Sequence, residues 1–398
     1  MTLFLSISIS AVLHVPTDGA TMSRRAVIGA VPAARSRPLA ASAGEAGVRM
    51  LNFDDDTQLD MIEASLSPSS YAAGYFEFEQ NGDFFKSSTS VWQPEPKLAA
   101  AELLGQYEAP GFYPLKLINL LTGGPFSLLQ RLWKKPHSQP AGSAVVAADA
   151  AVTPSVKPVG AVLLVHGLGG NPLQMTHLAE ALAVRGYIVV APTFDDSEFS
   201  PEKPNPVLYG VRHTITRCWH AEGCIDWLHA RYGTSLPICL VGHSVGADTV
   251  ARMRGEYPKV FLAGPVGDPV GKVALRGLAK VLEPSAQPPS ASTEPPCLIL
   301  GSLGDVVTLS PPETARLVGR PGAMQPTLEQ VTSGRLPNAA QYAFRALDGM
   351  ECHCSPFFAQ EARGHLAKKG LPDDARAARL VVPLVVKFCG QWLARSAP

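Results

Sequence analysis

The chain has 398 residues, 46% hydrophobic and 17% charged, with Lys plus Arg and Asp plus Glu both at 34, so it carries no net charge. That balance, without any basic block, excludes the electrostatic footprint of a nucleic-acid-binding protein, and the length exceeds what one domain ordinarily needs. Seven cysteines, at 218, 224, 239, 297, 352, 354 and 389, are odd in number and mostly sit in apolar patterns. They read as reduced core thiols rather than as a disulfide framework.

Residues 1–45 read as a targeting segment. Leu3–Val15 is an apolar run, and the first 44 residues hold one acid, Asp18, against Arg24, Arg25, Arg35 and Arg37 in a background of Ser and Ala. An apolar stretch followed by a basic, Ser/Ala-rich one is the pattern of a two-part address for an organelle reached through the secretory route, with secretion or an endomembrane as the alternative. Residues 46–140 form an N-terminal extension, in which Tyr75-Phe76-Glu77-Phe78 and Phe84-Phe85 predict short strands that precede the main sheet. Residues 115–135 carry Leu117, Leu120, Leu121, Leu128, Leu129, Leu132 and Trp133 around a Gly-Gly-Pro break. That spacing predicts an amphipathic helical hairpin, to serve as a lid, as a peripheral membrane contact or as packing against the core. Residues 141–158, rich in Ala, Val, Pro and Ser, predict a flexible linker. No later run reaches the ~18 uninterrupted apolar residues of a membrane span.

From residue 159 to 398 apolar strands alternate with helices, which predicts an α/β domain with a mostly parallel sheet covered on both faces. The strands expected are Ala161-Val165, Tyr187-Ala191, Ile238-Val241, Val260-Ala263, Cys297-Leu300 and Phe357-Gln360. Helices are expected at Met175-Arg185, His213-Arg231, Ala247-Glu256, Pro312-Leu317 and Ala375-Leu393, with a low-complexity surface loop at 283–296.

Two motifs sit at the ends of these strands. His166-Gly167-Leu168-Gly169-Gly170 follows the first, and Gly242-His243-Ser244-Val245-Gly246 follows the third. G-x-S-x-G directly after a strand is the nucleophile elbow of the α/β-hydrolase fold, where small residues two before and two after the serine let the chain turn tightly and hold Oγ above the sheet. An unassisted serine hydroxyl is a poor nucleophile, so Ser244 needs an imidazole within hydrogen-bond reach and a carboxylate behind it. Of the histidines only His353 and His365 follow Ser244, and His365 takes the place of the base in the chain order serine, acid, histidine. Two aspartates compete as acid: Asp305, just past the strand at 297–300, and Asp268, past the preceding one. The one not used is a turn former. The glycine-rich loop supplies the oxyanion hole, its donors the amides of Leu168 and Val245. It lacks the Lys of a phosphate loop and the spacing of a dinucleotide fingerprint. Cys352-His353-Cys354 is too close-set for a zinc finger, so neither metal nor cofactor is expected.

With these residues in hand, the chain resembles the chlorophyllases, esterases that remove phytol from chlorophyll. The similarity runs from Ala161 to Asp374 and rests on the strand into His166-Gly167, Arg185-Gly186-Tyr187-Ile188-Val189-Val190-Ala191-Pro192, the elbow, Asp268-Pro269-Val270, Gly301-Ser302-Leu303-Gly304, Glu351-Cys352, Gly364-His365 and Leu371-Pro372-Asp373-Asp374. The resemblance implies Ser244 as nucleophile, His365 as base, Asp268 as acid, chlorophyll or another hydrophobic ester as substrate, and a plastid address. Val245 and Ala247 stand where that family has arginine and a further glycine, and Gly264-Pro265-Val266 competes with 268–270 for the aligned segment, which would move the acid to Asp305. Lipases, platelet-activating-factor acetylhydrolases and cutinase-like polyester hydrolases are similar as well. The contrasting class is a hydrolase fold that has lost catalysis and serves as a binding module.

Overall fold

Short, near-continuous apolar runs build the parallel part of one sheet. The computed structural model describes residues 49–52, 54–82, 85–96, 104–109, 139–146, 156–167, 170–194, 206–265, 295–303, 305, 308–344, 357 and 372–395. Among them ten strands are present: β1 (Ala72–Gly82), β2 (Phe85–Glu95), β3 (Leu104–Ala109), β4 (Gln139–Val146), β5 (Gly160–Val165), β6 (Tyr187–Pro192), β7 (Ile238–His243), β8 (Lys259–Leu262), β9 (Cys297–Ser302) and β10 (Ala339–Phe344). Their order across the sheet is β10-β9-β8-β7-β5-β6-β2-β1-β4-β3. From β10 to β6 all neighbours are parallel, and β2 runs antiparallel to both β6 and β1. β4 joins β1 in parallel and pairs with β3 antiparallel.

β5, β6, β7 and β9 are buried at every position, as parallel strands with helices on both faces must be. Successive side chains point to opposite faces. Ala161, Leu163, Val165, Leu240 and Ile299 enter the core shared with α3 (Pro206–Tyr232), α4 (Val245–Arg252) and α5 (Pro311–Leu317). Val162, Leu164, Val241 and Leu300 enter the core shared with α1 (Asp56–Ala64), α2 (Thr176–Ala183), α6 (Leu328–Ser333) and α7 (Pro372–Arg395). Cys218, Cys224, Cys239 and Cys389 are reduced thiols in or beside these cores. Burial pushes the Cys224 thiol up to about 12, which keeps it protonated and inert. No helix among the described residues is long and apolar enough to cross a membrane.

Three expectations are corrected. The described part of 46–140 is not an extension ahead of the main sheet, because β2 pairs with β6 in register from Thr89↔Pro192 to Trp92↔Val189. Trp92 and Leu59 are fully buried in the same core as β5 and α7. Arg379 of α7 holds Glu63 through Nε and Nη2 at 2.8 Å and Asp60 at 2.6 Å, so α1 is bound to the last helix. Residues 139–146, read largely as linker, form β4. Among the described residues the last strand is β10; of the expected strand Phe357-Gln360 only Phe357 is described, in a turn. As an edge strand β10 buries only Ala340, Tyr342 and Phe344, and its alanines carry no β-branched signal. The expected targeting segment 1–45, the helical hairpin 115–135 and nearly all of the surface loop 283–296 lie outside the described residues.

Candidate active site

The sheet places β7 between β5 and β8, near its middle, and α4 begins directly after it. Ser244 is the single residue between them and takes φ 56°, ψ −122°. A side chain at such an angle costs on the order of 1–3 kcal/mol and persists only where the surroundings enforce it. Here the Ser244 N–H donates to Leu262 O of β8 at 3.0 Å, and its carbonyl accepts from the Ala247 N–H at 2.9 Å. The flanking glycines are obligatory: a Cβ on Gly242 would be driven into the Gly246 carbonyl, and one on Gly246 into the Val165 carbonyl of β5. Gly246→Ala is therefore expected to lower stability by about 2–4 kcal/mol and displace Ser244. Thermal denaturation and ester turnover check this, and a variant as stable and active as the parent would contradict it. Gly264 contributes as well, since a Cβ there would stand 2.7 Å from the Ala247 methyl and from Ser244 O. That small residue makes room for alanine at 247.

Facing the serine is the turn after β5. A Cβ on Gly167 would lie 3.0 Å from Ser244 Cβ, so this backbone packs directly against the nucleophile position. His166 is 1% exposed, and its Nδ1 sits 2.8 Å from Gly167 O. Because a carbonyl only accepts, that nitrogen carries the proton. Behind the turn, Arg217 of α3 is 1% exposed and donates through Nη1 to His166 O at 2.7 Å and through Nη2 to Gly167 O at 3.1 Å. Its guanidinium lies 4.3 Å from the centre of the Phe194 ring, which also packs against His166 at 4.9 Å.

On the other side, Phe357 meets the His243 ring at 5.6 Å and Phe344 of β10 at 6.3 Å. This sets the chain eight residues before His365 beside the elbow. Asp305 follows β9, where its Oδ1 accepts from Thr308 N at 3.2 Å and its Oδ2 from Thr308 Oγ1 at 2.5 Å.

Of the site residues expected from sequence, Ser244, Val245 and Asp305 are described, at the ends of β7 and β9. Leu168, Asp268 and His365 lie outside the described residues, as do Cys352, His353 and Cys354. Among the described residues no group of three or more His, Cys, Asp or Glu could hold a metal ion. Arg217 and Phe194 were not anticipated. The available signal was a charge on an apolar stripe: Arg217 stands four residues before Ala221 and seven before Cys224, both fully buried.

Residues 160–279 match the family model described as alpha/beta hydrolase fold. A comparison with curated proteins finds no match. Among solved structures the chain is similar to an esterase of Pyrobaculum calidifontis, at 14% identity over 85% of this chain and 91% of that one with a TM-score of 0.39. It is similar to a ferulic acid esterase from Streptomyces cinnamoneus, at 16% identity over 81% and 90% with a TM-score of 0.43. A dienelactone hydrolase from Anabaena variabilis has 14% identity over 81% and 99%, with a TM-score of 0.38. The mostly parallel sheet, its helices on both faces and the match over 160–279 together give this chain the α/β-hydrolase fold.

Proposed function

We propose that this protein is a serine carboxylesterase acting on a hydrophobic ester, with chlorophyll as substrate and chlorophyllide and phytol as products. The observation that carries the reaction class is Ser244 held at positive φ in the turn after the central strand, against the Gly167 backbone. His365 takes the Ser244 proton as Oγ attacks the ester carbonyl, the amides of Leu168 and Val245 bind the oxyanion, and the imidazole then protonates the leaving alcohol. Water attacks the acyl-enzyme with the same histidine as base. Asp268 orients His365. The Asp305 carboxylate is engaged by Thr308 in a local turn, the role allotted to the aspartate outside the triad. Residues 1–45 supply the plastid address, and 115–135 a contact with the membrane in which chlorophyll is dissolved.

The substrate rests on the resemblance, so its test is separate from that of the reaction. Purified protein incubated with chlorophyll a should release chlorophyllide, detected by chromatography, and should also turn over short p-nitrophenyl esters. Ester turnover without chlorophyllide would retain the esterase and remove the chlorophyllase.

A further inference from the structure

The oxyanion hole of a serine esterase is backbone, and backbone amides point where the peptide planes point. In a trans peptide the N–H lies opposite the C=O, so whatever anchors a carbonyl aims the next amide. Arg217 anchors two consecutive carbonyls, those of His166 and Gly167, with the two arms of one guanidinium. We propose that Arg217 is a positioning residue for the oxyanion hole, fixing the planes of these two peptides, the second of which carries the Leu168 amide. The proposal rests on the serine-esterase reading above and adds a residue from α3, outside both the elbow and the glycine-rich loop.

Three features fit this role better than general packing. The guanidinium is planar with fixed donor directions, so bonding adjacent carbonyls sets a rotation as well as a distance. It is buried, at 1% exposure, where hydrogen bonds to a charged group are strong and little screened. Its other face is covered by the Phe194 ring at 4.3 Å, which holds it under the turn. A cation bound at the oxygen end of a peptide also polarises that peptide and makes its N–H a better donor. Both effects act on charge that exists in the transition state and not in the bound ester.

The experiment compares the parent with Arg217→Lys, which keeps the charge without the fork, and Arg217→Gln, which keeps a planar donor without the charge. Misaligning a donor should lower kcat for p-nitrophenyl butyrate by about 10- to 100-fold. KM should stay within about 2-fold. Affinity for phenylboronic acid, whose tetrahedral adduct with serine places an oxygen in the hole, should fall in parallel with kcat. Folded variants with kcat within about 2-fold of the parent, or with kcat lowered and boronic acid affinity unchanged, would overturn the proposal. Should neither Arg217 variant fold, Phe194→Leu decides: it removes the ring that holds the guanidinium under the turn and so loosens both hydrogen bonds, should lower kcat by about 3- to 10-fold with the same boronic acid response, and overturns the proposal if kcat is unchanged. A parent protein that neither hydrolyses the ester nor binds the boronic acid removes the esterase reading itself. An active parent with unaffected variants removes only the role of Arg217.

Discussion

Ser244→Ala is expected to abolish labelling by a fluorophosphonate probe and to lower ester turnover by about 10⁴- to 10⁶-fold, the loss that follows removal of the nucleophile where the rest of the site remains. The fold should survive, because alanine keeps the Cβ and the elbow is imposed from outside the residue. Ser244 N–H is tied to Leu262 O, Gly246 is pressed against β5, and Gly264 closes the turn from β8. Ser244→Gly is expected to be equally inactive yet more stable than the parent by about 1 kcal/mol, since glycine occupies φ 56° without the Cβ penalty. Activity, labelling and thermal denaturation of the three proteins separate catalysis from stability. A folded parent that the probe does not label would count against the enzyme and favour the binding module.

The second large effect concerns the acid. Asp268→Asn is expected to reduce kcat by about 10³- to 10⁴-fold, because an amide behind the imidazole favours the wrong tautomer and no longer stabilises the imidazolium. Asp305→Asn should cost less than about 10-fold in activity and about 1 kcal/mol in stability, the price of a weakened turn at Thr308. Topology permits either acid. Adjacent strands are about 4.8 Å apart, so β8 ends one spacing from β7 and β9 two. An imidazole bridges roughly 8 Å between hydroxyl and carboxylate, counting two hydrogen bonds of about 2.8 Å and the ring. The reverse ranking of the two variants would place the triad acid at Asp305 and remove the aligned Asp-Pro-Val from the argument.

The strands that sequence patterning located well are those buried on both faces. Ala161–Val165, Tyr187–Ala191, Ile238–Val241 and Cys297–Leu300 are near-continuous apolar runs, which only a covered parallel strand requires. Patterning failed at the margins of the sheet: β10 buries one face only, and β2 is buried on both faces but largely through polar side chains. β2 alternates Val91 and Trp92, both fully buried, with a preceding polar run at Ser87–Ser90 that looks like loop, so its union with β6 was not legible. Phe357 opens the expected strand Phe357-Gln360 and is the one residue of it that is described, in a turn. Its ring instead packs on His243 and Phe344, an aromatic contact across segments distant in sequence.

A short-range requirement can be read from a linear chain, and the elbow is one. Three residues within Gly242–Gly246, the two glycines and the serine between them, state a turn, a nucleophile and the absence of side chains on either side within five positions. The strand alternation that defines the fold class is local in the same sense. Long-range requirements are satisfied by residues with no motif of their own. Gly264 admits Ala247, Leu262 holds the Ser244 amide, and Arg217 reaches back fifty residues to the carbonyls of His166 and Gly167. Folding alone brings these together, because burial rewards whichever side chain fills and satisfies a site, regardless of its distance along the chain.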